Sequence, residues 1–311
     1  SINKSLLFLM ADSTKIESHL NEDRKFPPAE AFAKQARIPS MKRYKELYDQ
    51  SIADPEAFWA AEASELHWQK KWDTVLEWDA PFAKWFVGGK TNICVNCVDR
   101  HVDAGRGNKA AIIWEGEPGD KRTLTYSQLQ REVCKFANVL EANGVKSKDR
   151  VLIYMPMVVE ATVAMLACAR IGAVRSIVFG GFSAESIKDR LDDSEATCVI
   201  TADGGWRRGG VVDLKANVDE ACAKLPGVEH VVMLERCGND VELTEGRDHD
   251  WATLVSTQSE DCPCEEMAAE DLLFLLYTSG STGKPKGIVH STAGYMIFTA
   301  MTSKYTFNLI P

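Results

Sequence analysis

From about Asn92 onward the chain alternates short β-rich runs with longer helical patterns, and this alternation narrows the possible folds more than any other feature. Ala110–Glu115 is a short apolar strand, and Lys121–Thr125 can pair with it as a hairpin. Thr125 then opens a helix: Gln128 completes a capping box with it, and Leu124 and Leu129 form a hydrophobic staple. Leu129, Val133, Phe136 and Leu140 recur at helical spacing, and Gly144 supplies the stop. Arg150–Met155 reads as a buried strand ended by Pro156, Val158–Ile171 as an apolar helix, and Arg175–Phe179 as a strand entering Gly180-Gly181. Helix, strand, helix and strand follow at Ala184–Asp193, Thr197–Thr201, Leu214–Leu225 and Val228–Leu234. Leu272–Tyr277 is a last apolar strand before a Gly/Ser/Thr loop, with a short strand at Ile288–His290 and a helix over Tyr295–Tyr305. Such alternation defines an α/β class built from mostly parallel sheets flanked by helices. Sheets of this kind bind ligands beyond the C-terminal ends of their strands. Three segments stand at such ends as candidate loops: Gly180–Ser183, Ala202–Gly210 and Thr278–Gly287.

The N-terminal part differs. Residues 11–50 are polar and read as a solvated arm with a short helix near Ser40–Gln50. Residues 54–90 carry Trp59, Trp68, Trp72, Trp78 and Trp85, whose mixed spacing predicts a packed cap rather than a stacking platform. Asn92–Asp103 reads as a helix. Met10 followed by Ala-Asp-Ser-Thr resembles an ordinary start, so residues 1–9 read as upstream readthrough or a fragment edge. The stop at Ile310-Pro311, directly after a helical pattern, makes a piece of a longer protein the expectation.

With 45 acidic against 36 Lys and Arg residues, the net charge is −9, so neither nucleic acid nor an anionic membrane is an expected partner. Nor does any apolar run approach the roughly 20 residues of a spanning helix. An anionic ligand must therefore be met by a local cluster of amides and basic side chains. Cys134, Cys168, Cys198 and Cys222 sit inside apolar or helical patterns, which suits a reducing, cytoplasmic compartment. Cys94 and Cys97, and Cys262 and Cys264, do not combine into a zinc-site spacing, and no resident metal is expected.

The segment richest in chemistry is Tyr277–Gly287, YTSGSTGKPKG. Gly280, Gly283 and Gly287 let the backbone bring its N–H groups close to a phosphate. Thr278, Ser279, Ser281 and Thr282 add neutral donors, while Lys284 and Lys286 supply local positive charge. A flexible linker has no need of two lysines bracketing a proline directly after a buried strand. The Walker loop fails: Gly280 and Gly283 have two residues between them where it requires four, and Pro285 follows Lys284 where it requires a hydroxyl. Dinucleotide and kinase glycine loops fail on spacing as well.

Tyr277–Gly287 instead resembles, over all eleven residues, the signature loop of the adenylate-forming superfamily. Tyr154–Met157, Ala164–Val174, Ile177–Ser183, Thr201–Arg207, Asn96–His101, Ala110–Gly116 and the stretch Tyr44–Trp59 are similar to the acetyl-CoA synthetase family within it. The resemblance spans roughly residues 40–311. It implies residues 1–40 as an arm, 41–100 as the family's leading region, and 101–311 as an incomplete AMP-binding domain of the large N-terminal type. It implies an acid–thiol ligase reaction: acetate attacks ATP, presented with Mg2+, to give an acyl-adenylate, and CoA then displaces AMP. Propionate in place of acetate, a non-catalytic nucleotide-binding protein and a kinase or NTPase are the alternatives.

The resemblance assigns the polyphosphate of ATP to Thr278, Ser279, Gly280, Ser281, Thr282, Gly283, Lys284 and Lys286. It assigns the CoA phosphates to two arginines three apart, of which Arg207 matches the first while Gly210 stands at the second. Arg208 is the candidate replacement, with Gly209 beside it, and Gly180 is expected to let CoA approach the backbone. The family's acyl pocket, adenine site and catalytic lysine match nothing up to Pro311, so the chain alone is expected to make no acetyl-CoA. His101, His230 and His249 neighbour no nucleophile motif, and His290, three residues after the loop, is the one histidine placed to line it.

Overall fold

A computed structural model describes residues 25–278 and 285–309. The chain divides into two compact units, residues 1–47 and 48–311. The first contains α1 (Glu30–Gln35) and the beginning of α2 (Met41–Ala53), and neither helix buries a residue. This exposure suits the polar composition expected of an arm.

In the second unit, α3 (Pro55–Ala63) starts where Asp54 accepts the N–H of Ala57 at 3.0 Å and Pro55 takes the first helical position. An antiparallel hairpin, β1 (Thr74–Asp79) and β2 (Phe82–Val87), precedes the short β3 (Lys90–Thr91). Trp59, Trp68, Trp72 and Trp85 pack around Phe86, with ring centroids 4.8 Å apart for Trp68–Trp72 and 5.1 Å for Trp72–Phe86. The expected cap is therefore present, although Trp78 is 68% exposed and stands outside it. Asn92–Asp103 is largely helical, with wide turns at Val95–Asp99 and Val102–Arg106.

The hairpin of β4 (Ala110–Glu115) and β5 (Lys121–Thr125) leads into α4 (Tyr126–Ala142). Both halves of the capping box form: Thr125 Oγ1 accepts from Gln128 N at 3.2 Å, and Gln128 Oε1 accepts from Thr125 N at 2.8 Å. Gly144, at φ 81°, ends the helix as expected. Next come β6 (Arg150–Tyr154), α5 (Val159–Arg170), β7 (Val174–Ile177), α6 (Ala184–Ser194) and β8 (Cys198–Ala202). They are followed by β9 (Gly204–Arg207), β10 (Gly210–Asp213), α7 (Leu214–Cys222), β11 (His230–Leu234), β12 (Asp248–Asp250) and α8 (Trp251–Ser256). The last elements are β13 (Met267–Ala268), β14 (Leu272–Thr278), β15 (Lys286–Ser291) and α9 (Thr292–Tyr305).

Seven strands form one sheet in the order β12-β11-β8-β6-β7-β14-β15, parallel throughout except for the β14–β15 pair. Alternation along β6 sends Val151 and Ile153 to one face and Leu152 and Tyr154 to the other. The first face packs on α4, α5 and Trp251, whose indole stacks on Phe136 with centroids 3.7 Å apart. The second face packs on Ile187 and Leu191 of α6 and Leu214 and Val218 of α7. A strand buried on both faces reads as a continuous apolar run, which is why β6 and β8 stand out in the sequence. Each such side chain contributes about 1.5–3 kcal/mol by leaving water.

The winding reverses beside β6. The chain passes from β6 through α5 to β7 on one side, then through α6 to β8 on the other. Reversals of this kind open a crevice at the C-terminal strand ends.

Three expectations need correction. Ala202–Gly210 is not a loop: β8 continues through Asp203 into the β9–β10 hairpin. Its two-residue turn is Arg208 (φ 53°) and Gly209 (φ 78°), the left-handed pair that suits the twist of a tight hairpin. Lys286 likewise belongs to a strand, since β15 begins there and pairs antiparallel with β14. Finally, α9 begins at Thr292 rather than Tyr295, because Ser291 is the extended residue before it.

Candidate nucleotide and thiol-cofactor site

The C-terminal ends of β6, β7, β8 and β14 lie along one edge of the sheet. The three segments singled out in the sequence therefore leave the sheet at the same end.

At β8 the hairpin carries Arg207 toward the turn that follows β7. The Arg207 guanidinium lies 4.8 Å from the centre of the Phe179 ring, a cation–π contact. A Cβ added to Gly181 would come within 2.0 Å of Arg207 Nη1, so the guanidinium occupies the space that a side chain at 181 would take. Gly205 has the same relation to the exit of β6, where an added Cβ would stand 2.8 Å from Pro156 Cβ. Gly180 is less confined, with ordinary contacts at 3.4 Å to Met155 O and 3.7 Å to Leu214 Cδ2.

Arg207 and Gly210 are directly opposite in the hairpin register, so they present the same face. Arg208 occupies the turn, and all four residues Arg207–Gly210 are exposed. At the tip, Gly209 N–H donates to Glu117 Oε1 at 2.6 Å, so a carboxylate already meets an amide there. The Gly180 turn is held from beneath by Tyr154, whose hydroxyl donates to Phe182 O at 2.8 Å and reaches Gly180 O at 3.4 Å. Burial pushes the Tyr154 hydroxyl up, with a partly opposing hydrogen bond from Asn217, which favours its donor form.

On the other side, β14 pairs with β7 through Phe274–Arg175 and Leu275–Ser176. The last rung of β14–β15 joins Thr278 to Lys286, and both are exposed. Ser279, Gly280, Ser281, Thr282, Gly283 and Lys284 lie outside the described residues. Tyr277 anchors the departure point: its hydroxyl donates to Asp193 Oδ2 at 2.6 Å. Burial and then the Asp193 carboxylate hold that phenol well above its ordinary range. The ring covers Gly287, where an added Cβ would lie 3.3 Å away.

The two sides meet at Arg190, which the sequence reading did not single out. Its guanidinium lies 5.0 Å from the Phe182 ring and 5.5 Å from the Tyr277 ring, and its Nη1 donates to Ser186 O at 2.6 Å. Nothing in the sequence separates it from the neighbouring charges of α6. Asp203 was visible only as part of a strand-end motif, yet its carboxylate is buried beneath the hairpin. Burial would raise its pKa, but backbone N–H donors from Arg236, Cys237, Asn239 and Gly204 outweigh this and lower it. His290 pairs with Phe274 in the β14–β15 register and stacks on it with centroids 4.4 Å apart.

Residues 98–309 match the family described as AMP-binding enzyme, and the chain belongs to that family. Residues 44–97 match the acetyl-coenzyme A synthetase N-terminus. The chain is 52% identical over 297 residues to the acetyl-coenzyme A synthetase of Chlorobaculum tepidum, a match covering 96% of this chain and 45% of that protein. It is also 52% identical over 287 residues to the protein of the same name from Rubrobacter xylanophilus, covering 92% and 44% respectively. Acetoacetyl-CoA synthetase from Streptomyces lividans superposes with a TM-score of 0.80 at 27% identity, over 91% of this chain and 43% of that one. The chain thus spans less than half the length of the curated relatives it matches.

Proposed function

We propose that the complete product of the gene encoding this chain is an AMP-forming acetate–CoA ligase. An acetate oxygen attacks the α-phosphorus of MgATP, forming acetyl-adenylate and releasing pyrophosphate. The CoA thiolate then attacks the acyl carbon, forming the thioester and expelling AMP. Magnesium enters as part of the nucleotide substrate. The first step is a problem of positioning and charge. Backbone amides and hydroxyls of Thr278–Thr282 would hydrogen-bond the polyphosphate, Gly280 and Gly283 would let the main chain approach it, and Lys284 and Lys286 would neutralise the departing pyrophosphate.

The second step would use Arg207 on the CoA phosphates. Arg208 would assist at the hairpin tip, where Gly209 shapes the turn and its amide is held by Glu117, Gly210 leaves open space beside Arg207, and Gly180 lines the approach. The observation that carries this reading is that Arg207 and the start of Tyr277–Gly287 emerge from one end of a single parallel sheet. Adenylation and thioester formation share one acyl group, so both ligands must reach one crevice. The matched spans support residues 1–40 as an arm, 41–100 as the leading region and 101–311 as AMP-binding domain. The free cysteines and the absence of any helix long and apolar enough to cross a membrane, among the described residues, support a cytoplasmic location.

The test is acetate-dependent exchange of pyrophosphate into ATP by the complete gene product, followed by CoA-dependent thioester formation. Exchange with acetate exceeding that with propionate is the expected result. Faster exchange with propionate reassigns the acyl group, and ATP binding without exchange leaves a nucleotide-binding protein.

A further inference from the structure

The base of the hairpin carrying Arg207 rests on a buried carboxylate. The Asp203 carboxylate is 1% exposed and receives main-chain N–H bonds from five residues. Oδ1 accepts from Gly204 at 2.6 Å, Arg236 at 2.7 Å and Cys237 at 3.1 Å. Oδ2 accepts from Cys237 at 3.0 Å, Gly238 at 2.7 Å and Asn239 at 3.0 Å. Its backbone extends the same junction: the N–H donates to Leu234 O at 2.9 Å, and the carbonyl accepts from Leu214 N at 3.2 Å. Asn239 Nδ2 adds a bond to Asp213 Oδ1 at 2.8 Å, at the base of β10. The end of β8, the first residue of β9, the base of β10, the start of α7 and the segment after β11 thus converge on one residue. Four residues further on, the hairpin ends in Arg207 and turns.

We propose that Asp203 is the positioning residue that sets the angle of the β9–β10 hairpin, and with it the reach of Arg207 toward the phosphates of CoA. This rests on the ligase reading of the same hairpin. Only an ionised carboxylate fits the arrangement, because every group aimed at it is a donor and both oxygens are used. An asparagine has one acceptor oxygen, and its NH2 would confront one of the two N–H sets. A buried donor left without an acceptor is costly, so the hairpin base would shift to find new partners. The turn after β7 and the β14–β15 pair share no hydrogen bond with Asp203, so their geometry would hold. The inference is therefore asymmetric: the thiol-side half-reaction depends on Asp203 and the adenylating half does not.

The experiment compares wild type, Asp203→Asn and Asn239→Ala in the complete gene product. It measures acetate-dependent ATP–pyrophosphate exchange, the KM for CoA, and CoA affinity by calorimetry. Asp203→Asn is expected to raise the KM and Kd for CoA about tenfold, with exchange within twofold of wild type. Asn239→Ala keeps the buried carboxylate with its main-chain donors and removes the side-chain bonds to Asp213 Oδ1 and Asp203 O, so a rise of about threefold is expected. If Asp203→Asn does not fold, the Asn239 variant decides on the same readouts. Exchange and CoA affinity falling together mark a merely structural role and overturn the proposal, as does an unmoved Kd for CoA. Wild type that binds CoA without exchange sinks the ligase reading while the Asp203 dependence of Kd still decides this one. Wild type that binds no CoA overturns it.

Discussion

Two hairpins leave the same end of the sheet, and they are held in opposite ways. β9–β10 stands on a buried foundation: Asp203 beneath it, Lys215 at the head of α7 behind it, and the Arg207 guanidinium laid against Gly181 and Phe179. β14–β15 is held along one side, by two register pairs to β7 and by Tyr277 on Asp193, while Val289 of its outer strand is 57% exposed. A rigid platform suits recognition of a phosphate-rich cofactor by side chains whose reach must be set in advance. The proposed contacts to polyphosphate, by contrast, begin at Thr278, on the lightly held side.

The heaviest blow to that contrast falls on the foundation. Lys215 is 1% exposed, and its ammonium lies 2.7 Å from both Asp219 and Asp248. Lys215→Met leaves the buried Asp248 with Arg247 as its remaining cation and the Thr244 N–H as its remaining main-chain donor, and a loss of about 3 kcal/mol is expected in urea unfolding. A loss below about 1 kcal/mol would show that the platform does not rest on this network. Burial works to raise the Asp248 pKa, but Arg247 and Lys215 hold it below the ordinary carboxylate value. Its contribution is then complete above about pH 4 and is lost as the pH falls through the lowered value, so acid unfolding is expected to steepen there.

On the lightly held side the expected damage is to rate. Lys284→Ala removes a cation from the proposed pyrophosphate grip, and a fall of about 100-fold in acetate-dependent exchange is expected, the scale of losing one preorganised charge-stabilising group. The thermal midpoint should move little, since the charge serves the ligand. An unchanged exchange rate would remove the lysine from the mechanism, and an equal collapse of rate and midpoint would make it structural.

The same contrast explains what could be read in advance. The α4 capping box, the Gly144 stop and the doubly buried β6 are local patterns, and each recurs in the structure where its residues predicted it. The Arg207 hairpin was hidden because the first residue of its left-handed turn is Arg208, with only the second, Gly209, a glycine, so two short strands beside glycines read as loop. The amides that satisfy Asp203 come mainly from residues 236–239, brought close only when β11 pairs with β8. Arg190 was invisible for the same reason: its aromatic partners lie before α6 and in β14, and no helical spacing announces them. Lys286 read as part of a loop because the strand that contains it is largely exposed and lacks the apolar run that marked β14.

Arg190 touches both Phe182, in the turn beside the Arg207 hairpin, and Tyr277 of β14, so replacing it tests whether the two sides act independently. Arg190→Met keeps the length of the stem but takes the cation from between the rings of Phe182 and Tyr277. A desolvated cation–π contact is worth about 1 kcal/mol, so a change of roughly fivefold is expected in both pyrophosphate exchange and the KM for CoA. A change confined to one of them would mean that the guanidinium supports only that side.

The smallest expected effect is a gain. Gly210 faces the same way as Arg207, its φ lies outside the left-handed region, and the nearest atom to an added Cβ is Arg207 O at 3.9 Å. Gly210→Arg would therefore place a second guanidinium beside the first without displacing the hairpin. The tip is exposed, so the added attraction is screened, and a fall of about threefold in the KM for CoA is expected, shrinking as salt rises. Dephospho-CoA, which lacks the 3′-phosphate, serves as the comparison: an equal gain for both ligands would place the new charge on the pyrophosphate bridge they share. If neither ligand binds more tightly, Arg208 already meets the charge that an arginine at 210 would meet, and the turn rather than the strand is the working part of the platform.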